Sequence, residues 1–522
     1  MIRPLLIALL VALMSTGRAE SPPPVDVLVY GGTAGGAMAA IGAASQGATV
    51  VLLEPGRHIG GMLSGGLGRT DIDRQEACIG GLSLEFFRRA GRHYGQDIAW
   101  IFEPHVAEDI LKAMLREKNV TVEFGQSLES IIKTDGRIRS VKSTDGRVFT
   151  AKVFIDATYE GDLMKAAGVS YTVGREGRDR YRESLAGRRE ILRSNHQVNF
   201  PISPWKDGRL LPHITPEEEL APSGSGDGKI QGYCFRLCLT NVPENRLPVP
   251  RPENYNPEDY ELIRRCFKVG GEKVQNILGI KPMPNGKTDI NAGYPFSLNL
   301  LGANQDYPDG SPARRKEIWK QHLDWAHGLV YYLQNDPSVP ESIRAKYTPW
   351  GLCKDEFTDT GGWPHQLYIR EARRMLGEYV LTQHDLMTNL RKFDRIGLAG
   401  YNIDIREVQW VALKTFYFPK AAEEIYMEGY LSHPVEPWDI PYRALLPRYG
   451  ECQNLLVPVC TSASTIAFAS FRMEPQYMIA GQASGIAAAL ASRSGTAVQL
   501  VPITELQDRL REAGQILELG KN

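Results

Sequence analysis

Side chains that can move protons or bind anions concentrate between residues 350 and 410. His365 and Asp404 could take a proton from a substrate hydroxyl or amine, and Arg370 and Arg406 could hold an acidic group. Their polar neighbours in the same segment are Tyr368, Glu371, Arg373 and Arg374. We predict His365, Asp404, Arg406 and Arg370 as the catalytic residues. The alternatives are a structural role for His365 and ion pairs for the arginines at 370, 373 and 374, which have helical spacing.

Residues 25–54 form the unit that must position this chemistry. An apolar run at 27–30 is followed by a glycine-dense turn at 31–36 and an alanine-rich helix that ends before Gly47. A second apolar run at 49–53 leads into Glu54. In such a βαβ unit the turn and the helix N-terminus receive a pyrophosphate, and the terminal carboxylate receives ribose hydroxyls. The pattern therefore predicts a dinucleotide-binding site.

One position departs from the usual G-x-G-x-x-G fingerprint. The spacing would place glycines at 31, 33 and 36, and position 33 is Thr. A β-branched side chain therefore stands where the backbone normally approaches the phosphates.

The remaining elements extend this domain. The glycine-dense loop at 55–68 suits a backbone that presses against a ligand, and helices are expected at 82–94 and from 104 onwards. Asp-Gly pairs at 135–136 and 145–146 predict an antiparallel meander inserted into the parallel fold. A strand at 454–459 and a helix at 476–492 would complete the domain. We also predict helices at 312–333 and 363–391, and a solvated charged face at 175–193.

Length and charge bound the organisation of the chain. At 522 residues it is long for one core. We predict a discontinuous nucleotide-binding domain at 25–175 and 431–516, with a mixed α+β substrate or cap domain at 176–430. The net charge of −1 gives no indication of a basic protein surface that would bind nucleic acid or an anionic membrane. No metal-ligand spacing such as H-E-x-x-H occurs, so we expect no metal site.

The first residues have the pattern of an export signal. Arg3 precedes an apolar run at 5–14, and small residues at 17 and 19 suit a cleavage site. We predict a signal peptide at 1–19, an exported (periplasmic or secreted) protein and no membrane span in the mature form, with an uncleaved anchor as the alternative. The seven cysteines show no framework spacing, so we expect buried free thiols with at most a disulfide or two.

Several motifs resemble those of one enzyme family. They are IGGM and GGLG at 59–68, FEPHVAE at 102–108, FIDATYEGDL at 154–163, GGWPHQLYIREARRM at 361–375 and RMEPQYMIAGQASG at 472–485. On these motifs the chain resembles FAD-dependent oxidoreductases, and most closely an exported bacterial branch, over nearly all of 25–495. The resemblance implies an α/β fold with a Rossmann-like, glutathione-reductase-type FAD-binding domain.

The resemblance also implies FAD as the cofactor. The first turn would hold its pyrophosphate and Glu54 its adenosine ribose. The N-terminus of the last helix would face the pyrimidine edge of the flavin, where a helix N-terminus stabilises the negative charge of the reduced ring. The cofactor-binding residues implied in this way are Gly31, Gly32, Thr33, Gly36, Glu54, Gly60, Gly61, Met62, Asp156, Ala157, Thr158, Arg472, Pro475 and Gln482.

Two departures from the family patterns bear on the chemistry. Relatives carry histidines in SxSH and DSH stretches, whereas this chain has Ser464-Thr465 and Asp404-Ile405-Arg406 there, so it needs another base or other chemistry. The flavin subunit of heterodisulfide reductases, which is distantly similar, holds iron–sulfur clusters through closely spaced cysteines. Here only Cys234 and Cys238 are close in sequence, so we expect no cluster.

These observations favour an exported FAD enzyme that oxidises or reduces a small organic substrate by two electrons, with a preference for a sugar, polyol or glycoside. Its electron acceptor is not identified by the sequence. One alternative is thiol or quinone electron transfer through a reactive Cys460 or Cys78. A second is a secreted carbohydrate-binding or lyase-type protein without redox activity. His58, beside the flavin loop, could carry a covalent flavin link or stabilise the loop.

Overall fold

The computed structural model describes residues 21–519, except 73–74, 192–196, 275, 389 and 418–419. The predicted signal peptide at 1–19 therefore lies outside the described residues. Among the helices of the described part, none combines the length and apolar character needed to cross a membrane.

The apolar runs of the first βαβ unit form the centre of a parallel sheet. The first strand lies between the second and the sixth, and all three run parallel. This arrangement confirms the predicted Rossmann-like α/β fold. The elements of this first segment are β1 (Val25–Tyr30), α1 (Ala34–Ser45), β2 (Val50–Glu54), α2 (Gly81–His93), α3 (Pro104–Glu117), β3 (Thr121–Phe124), β4 (Leu128–Thr134), β5 (Arg137–Ser143), β6 (Val148–Asp156) and α4 (Asp162–Ala166).

An antiparallel meander is attached to this sheet through β6. β4 pairs with β5, and β5 pairs with the first residues of β6, at 148–150. The remainder of β6, at 151–156, pairs with β1. Asp135 and Gly136 both have positive φ, as the tight turn between β4 and β5 requires. The predicted insertion is therefore present, and β6 belongs to both sheets.

The middle of the chain contains both helices and strands. Its largest sheet has the strand order β12 (Arg246–Leu247), β15 (Gly351–Cys353), β11 (Leu237–Thr240), β14 (Lys287–Ala292) and β13 (Leu278–Pro282). The strands are β7 (Tyr171–Thr172), β8 (Trp205–Lys206), β9 (Arg209–Leu210), β10 (Ile214–Pro216), β11 (Leu237–Thr240), β12 (Arg246–Leu247), β13 (Leu278–Pro282), β14 (Lys287–Ala292), β15 (Gly351–Cys353), β16 (Arg374–Met375), β17 (Arg395–Ala399), β18 (Ile403–Ile405), β19 (Gln409–Tyr417), β20 (Lys420–Glu428), β21 (Leu431–His433) and β22 (Trp438–Pro441). The helices are α5 (Arg178–Tyr181), α6 (Glu261–Gly270), α7 (Pro312–Asn335), α8 (Glu341–Tyr347) and α9 (Gln383–Met387).

The C-terminal segment returns to the parallel sheet. Its strand pairs in parallel with β6 at Phe154 and Ile155, on the side of β6 away from β1. The elements are β23 (Leu455–Leu456), α10 (Thr465–Phe471), α11 (Glu474–Ser494) and α12 (Ile503–Glu512).

Glycines bring the backbones of α1 and α11 into direct contact. A Cβ added at Gly481 would lie 2.1 Å from the Gly35 carbonyl oxygen, and one at Gly485 would lie 2.0 Å from the Ala39 carbonyl oxygen. In the other direction, a Cβ at Gly42 would lie 2.8 Å from the Gln482 carbonyl oxygen. Only the absence of side chains at these positions allows so close an approach. The first and last segments are joined in this way.

Two predictions for the middle of the chain are wrong. Among the described residues of 363–391, α9 is the only helix, and Arg374 instead lies in β16, paired with β7. The stretch at 175–193 is not simply a solvated face, since Arg175, Glu176 and Glu183 are buried. In both places the charged side chains find partners far away in sequence. Arg175, for example, bonds Asp227 and Glu428.

The close contact between α1 and α11 predicts that one added methyl group destabilises the folded protein. The substitution Gly485→Ala should lower the free energy of unfolding by about 1–3 kcal/mol, because the backbones must separate. It should also reduce the FAD content, since both helices begin at the predicted cofactor site. Denaturant unfolding and the absorbance of the purified protein measure the two effects. Gly450→Ala is the control, because a Cβ there meets nothing within 4 Å. Equal stability of the two variants would contradict the prediction.

Candidate flavin site and substrate pocket

The glycine turn at 31–36 is tightly enclosed. Gly31 has a φ of 101°, in the region that favours glycine, and follows directly on β1. A Cβ at Gly36 would lie 1.9 Å from the Gly31 carbonyl oxygen. The start of α1 therefore approaches the end of β1 as closely as a dinucleotide turn requires.

Thr33 has an extended backbone, with φ −62° and ψ 171°, and is the N-cap of α1. Its hydroxyl accepts a hydrogen bond from the Gly36 N–H at 3.1 Å and donates one to the Ala157 carbonyl at 2.8 Å. The backbone at this position therefore needs no glycine, and the side chain ties the helix start to the end of β6.

Glu54 closes the other side of the turn. Its carboxylate accepts hydrogen bonds at 2.6 Å from the N–H groups of Gly32 and Gly56. Burial raises the pKa of Glu54 to about 7, against the opposing effect of these bonds. An acceptor at the end of β2 is the group that ribose hydroxyls require.

The flavin loop, residues 59–68, is fixed by one hydrogen-bond chain. The Met62 N–H donates to the Tyr159 hydroxyl at 2.9 Å, and that hydroxyl donates to Glu474 Oε1 at 2.7 Å. Gly61, with a φ of 54°, lets the loop pass the tyrosine, because a Cβ there would lie 2.4 Å from its hydroxyl. Gly60 joins the loop to the first turn through a 2.7 Å bond from its N–H to the Gly32 carbonyl. Three predicted cofactor segments thus meet at Tyr159.

Asp156 shapes the end of β6. Its buried carboxylate accepts from the Thr158 N–H and hydroxyl and from the Met164 N–H. Burial raises the pKa of Asp156 to about 6. Ala157 and Thr158 lie against the first turn, since a Cβ at Gly31 would be 2.8 Å from the Thr158 nitrogen. Asp156 therefore positions the residues that meet the turn.

The start of α11 contributes buried polar groups to the same region. Arg472 donates to the Asp404 backbone carbonyl at 2.8 Å and carboxylate at 3.1 Å. Pro475 occupies the first turn, where a missing N–H costs nothing. Gln482 lies deeper in the helix and accepts from the Leu82 N–H at 2.8 Å, so it holds the start of α2.

Buried polar atoms at this helix start fit a bound flavin. Among the described residues, Glu474 Oε2, Arg472 Nε and Gln476 Oε1 are buried without a hydrogen-bond partner. Burial also raises the pKa of Glu474 to about 8, so the acid is mostly protonated at neutral pH. Unpaired buried groups of this kind are costly unless a ligand satisfies them. Together with the glycine cradle and Glu54, they match the needs of FAD.

A polar cluster that sequence reasoning missed lies beside Arg472. Asp71 is partly buried, and among the described residues its carboxylate has no hydrogen bond or ion pair. Burial raises its pKa to about 6, with Arg236 and Arg472 acting in the opposite direction. Tyr368 faces the same groups, and its hydroxyl makes no hydrogen bond within the described part of the chain. Asp71 directly follows the glycine-dense loop, in GLGRTD, which is the signal that could have indicated it.

The four predicted catalytic residues divide between two places. Asp404 and Arg406 lie with Arg472, since Asp404 bonds Arg472 and its charge acts on Arg406. The Arg370 guanidinium donates to the Gly232 carbonyl and lies 4.8 Å from the centre of the Tyr368 ring. His365, by contrast, stacks on His58 with ring centres 3.8 Å apart. Burial lowers the pKa of His365 to about 4.

His58 is held by carboxylates on both sides. Its Nδ1 lies 3.3 Å from Glu108 and its Nε2 lies 3.1 Å from Asp359. The bond with Glu108 raises the pKa of His58. Both ring nitrogens are thus occupied, which favours the loop-stabilising role over a covalent flavin link.

Arg373 and Arg374 are both engaged in ion pairs with carboxylates. Arg373 bonds Asp162 at 2.7 Å and Asp309 at 2.9 Å. Arg374 bonds Glu176 at 2.6 Å and Glu371 at 3.1 Å. The ion-pair alternative therefore describes these two arginines better than a substrate clamp.

The thiols named for electron transfer are poorly suited to it. Burial raises the pKa of Cys78 to about 11 and that of Cys460 well above its ordinary value. Cys460 also donates to the backbone carbonyls of Thr158 and Tyr159. A reactive cysteine needs a lowered pKa, which neither residue has.

Two further features lie outside the flavin-facing residues. A cavity of about 500 Å³ in the middle segment has Phe296, Trp325 and Trp410 in its wall, and none of its lining residues belongs to the groups above. Glu103, His105 and Glu356 bring together three potential metal ligands. The ammonium of Lys287 lies 2.7 Å from both glutamates and takes the place of a cation there.

Comparison with known families decides the identity. The model of a family described as FAD dependent oxidoreductase matches residues 26–510. The chain belongs to this FAD-dependent oxidoreductase family. FAD is its cofactor, and it is an enzyme of the oxidoreductase class.

Solved structures that resemble this oxidoreductase are flavin enzymes and their relatives. A geranylgeranyl bacteriochlorophyll reductase-like protein from Thermoplasma acidophilum is 13% identical, with a TM-score of 0.35, over 94% of this chain and 84% of that one. Thermovibrio ammonificans THI4 is 21% identical, with a TM-score of 0.22, over 29% and 66%. The L-amino acid deaminase from Proteus vulgaris is 16% identical, with a TM-score of 0.23, over 30% and 53%. The chain thus spans about two thirds of the second protein and about half of the third.

Removal of the Thr33 hydroxyl should weaken the first turn. Thr33→Val loses both the cap on α1 and the bond to Ala157, which should cost about 1 kcal/mol of stability and raise the Kd for FAD. Thr33→Ser is the matched control, because it keeps the hydroxyl. Fluorescence titration of the apoprotein with FAD and denaturant unfolding compare the two. If valine and serine behave alike, the hydroxyl does not have this role.

The hydrogen bonds that link Met62, Tyr159 and Glu474 lead to a second prediction about FAD binding. Glu474→Ala leaves the Tyr159 hydroxyl buried without its acceptor, and the Kd for FAD should rise by roughly tenfold. Glu474→Gln should bind FAD almost normally, because the amide is neutral, like the protonated acid, and still accepts from Tyr159. The same titration measures both variants, and a glutamine variant as weak as the alanine one would show that charge, not the hydrogen bond, matters at this position.

Proposed function

We propose that this enzyme oxidises a small polar organic substrate by two electrons, with Asp71 as the proton acceptor. The observation that carries the proposal is the unpartnered carboxylate of Asp71, which shares its surroundings with Tyr368, Arg236 and Arg472 beside the start of α11. A base with a pKa of about 6 is ionised at neutral pH and still binds a proton well enough to accept one. Asp71 would also take the place of the two family histidines that this chain lacks.

Bound FAD would supply the two-electron acceptor. The residues of this chain would orient the substrate and accept its proton. Asp71 would take the proton from a substrate hydroxyl or amine, and the Tyr368 hydroxyl would orient the same group by a hydrogen bond. Arg472 would bind the substrate oxygen through its unpaired Nε, while its Nη2 keeps the hydrogen bond to Asp404. The ion pair of Arg236 with Asp289, which is buried, would keep the pocket wall in place.

A sugar, polyol or glycoside is the substrate class we propose. The carboxylate of Asp71, the phenol of Tyr368 and the guanidinium of Arg472 would pair well with several hydroxyl groups at once. We also propose, from the pattern of residues 1–19, that the protein is exported and passes its electrons to an external acceptor. The raised thiol pKa values of Cys78 and Cys460 favour this scheme over thiol exchange.

The proposal is tested by reduction of the bound flavin without oxygen. The oxidised protein should show flavin absorbance that leaves with the supernatant after acid precipitation, and a member of a sugar and polyol panel should bleach it. The variant Asp71→Asn should keep its FAD and lose about 10²–10⁴-fold in the rate of bleaching. In the wild type the rate should rise as the pH increases through about 6, where Asp71 loses its proton, and this rise should vanish in the variant.

Asp97→Asn, at an exposed position away from the pocket, is the control. Bleaching of the Asp71→Asn variant at the wild-type rate would overturn the role of Asp71. Bleaching by amines or acids alone would overturn the sugar assignment. A preparation without flavin bands after incubation with FAD would overturn the redox scheme and favour a binding or lyase-type protein.

A further inference from the structure

Cys238 and Cys353 lie opposite each other in the largest sheet of the middle segment. Leu239 pairs with Leu352 and Thr240 with Gly351, so the antiparallel register places Cys238 directly across from Cys353. Their sulfur atoms are 3.9 Å apart. Only 2% of Cys238 and 1% of Cys353 is exposed. We propose that these two cysteines are a disulfide site that crosslinks β11 to β15.

The backbone geometry suits this bond. Residues directly opposite in antiparallel strands have Cα atoms about 4.5–5.5 Å apart, which is within the range that disulfides span. The sulfurs can therefore meet by rotation of the side chains, without movement of the strands. All seven cysteines lie in the described part of the chain, and the hydrogen bond between Cys238 and Cys353 is the only one among the described residues that joins two thiols. The thiols of Cys460 and Cys452, for instance, donate hydrogen bonds to oxygen atoms.

The chemistry is thiol–disulfide exchange with an external disulfide. The two thiols lose two protons and two electrons as the bond between Cys238 and Cys353 forms, and the external disulfide takes them up as two thiols. Contact with Cys353 and burial raise the pKa of Cys238, so the thiolate is scarce in the folded protein. Exchange in the folded protein therefore proceeds through local openings that expose the sulfurs, and it reaches equilibrium slowly.

The crosslink would stabilise the wall of the substrate pocket. Cys238 lies directly across from Asp289 on its other side, and Asp289 bonds Arg236 of the polar cluster. Met283, which packs with the two cysteines, also lies against Gly68 of the flavin loop. A bond between residues 115 positions apart fixes this layer and closes a long loop, which is where crosslinks restrain the unfolded chain most.

The test is a map of the cysteines in the full-length protein. The holoenzyme is equilibrated in oxidised and reduced glutathione, denatured in iodoacetamide without reductant, and digested for mass spectrometry. We expect one peptide pair joined through Cys238 and Cys353 in the oxidising buffer, with the other five thiols alkylated. Dithiothreitol should remove the crosslink and lower the Tm by about 3 °C or more.

Two variants separate this proposal from general oxidation. Cys266→Ser, in α6, should keep the crosslink and its response to dithiothreitol. Cys353→Ser should lose both and leave Cys238 alkylated. Alkylation of both cysteines in the wild type after the oxidising buffer, or a crosslink through any other cysteine, would overturn the proposal. The wild-type map decides the matter even if Cys353→Ser fails to fold.

Discussion

The structure depends on the contact between the backbones of α1 and α11. The contacts advance together along both helices, from Gly35 with Gly481 to Ala39 with Gly485, so the two helices run in the same direction and begin at the same end. The positive ends of both helix dipoles consequently meet on one side of the parallel sheet. Segments that are more than 400 residues apart thus build a single electropositive surface. A side chain at any of these glycines would push one of the two ends away from it.

Around this surface the chain holds its polar groups in two different ways. Arg373, Arg374 and Arg175 are buried in ion pairs with good geometry, and these pairs link segments that are far apart in the sequence. By contrast, the Asp71 carboxylate and Glu474 Oε2 have no hydrogen-bond or ion-pair partner among the described residues. Paired buried charges hold a structure in place, whereas unpaired ones indicate where a ligand must enter. This difference separates the supporting residues from those that can act on a substrate.

Sequence reasoning succeeded where structure is decided locally. The βαβ unit, the Asp-Gly turns of the meander and α7 follow from patterns within a few residues, and the glycine turn is built as expected. It failed for Asp71, for residues 363–391 and for the charged stretch at 175–193. The fate of Arg374 depends on Glu176, almost 200 residues away, and no local periodicity contains that information. The effect of Thr33 could not be foreseen either, because its hydroxyl bonds a carbonyl at the end of a distant strand.

Strand β6 serves two sheets with separate parts of its length. Residues 148–150 hold the meander, whereas 151–156 pair with β1 and β23 and lead to the residues that meet the first turn. The β4–β5 hairpin also packs onto β1, since Ile138 lies in one apolar cluster with Leu28. The Leu128 N–H donates a hydrogen bond to the Tyr30 hydroxyl at the end of β1. A substitution on the apolar face of the hairpin would therefore act on β1, whose last residue precedes the glycine turn. The inserted meander thus supports the strand that leads into this turn.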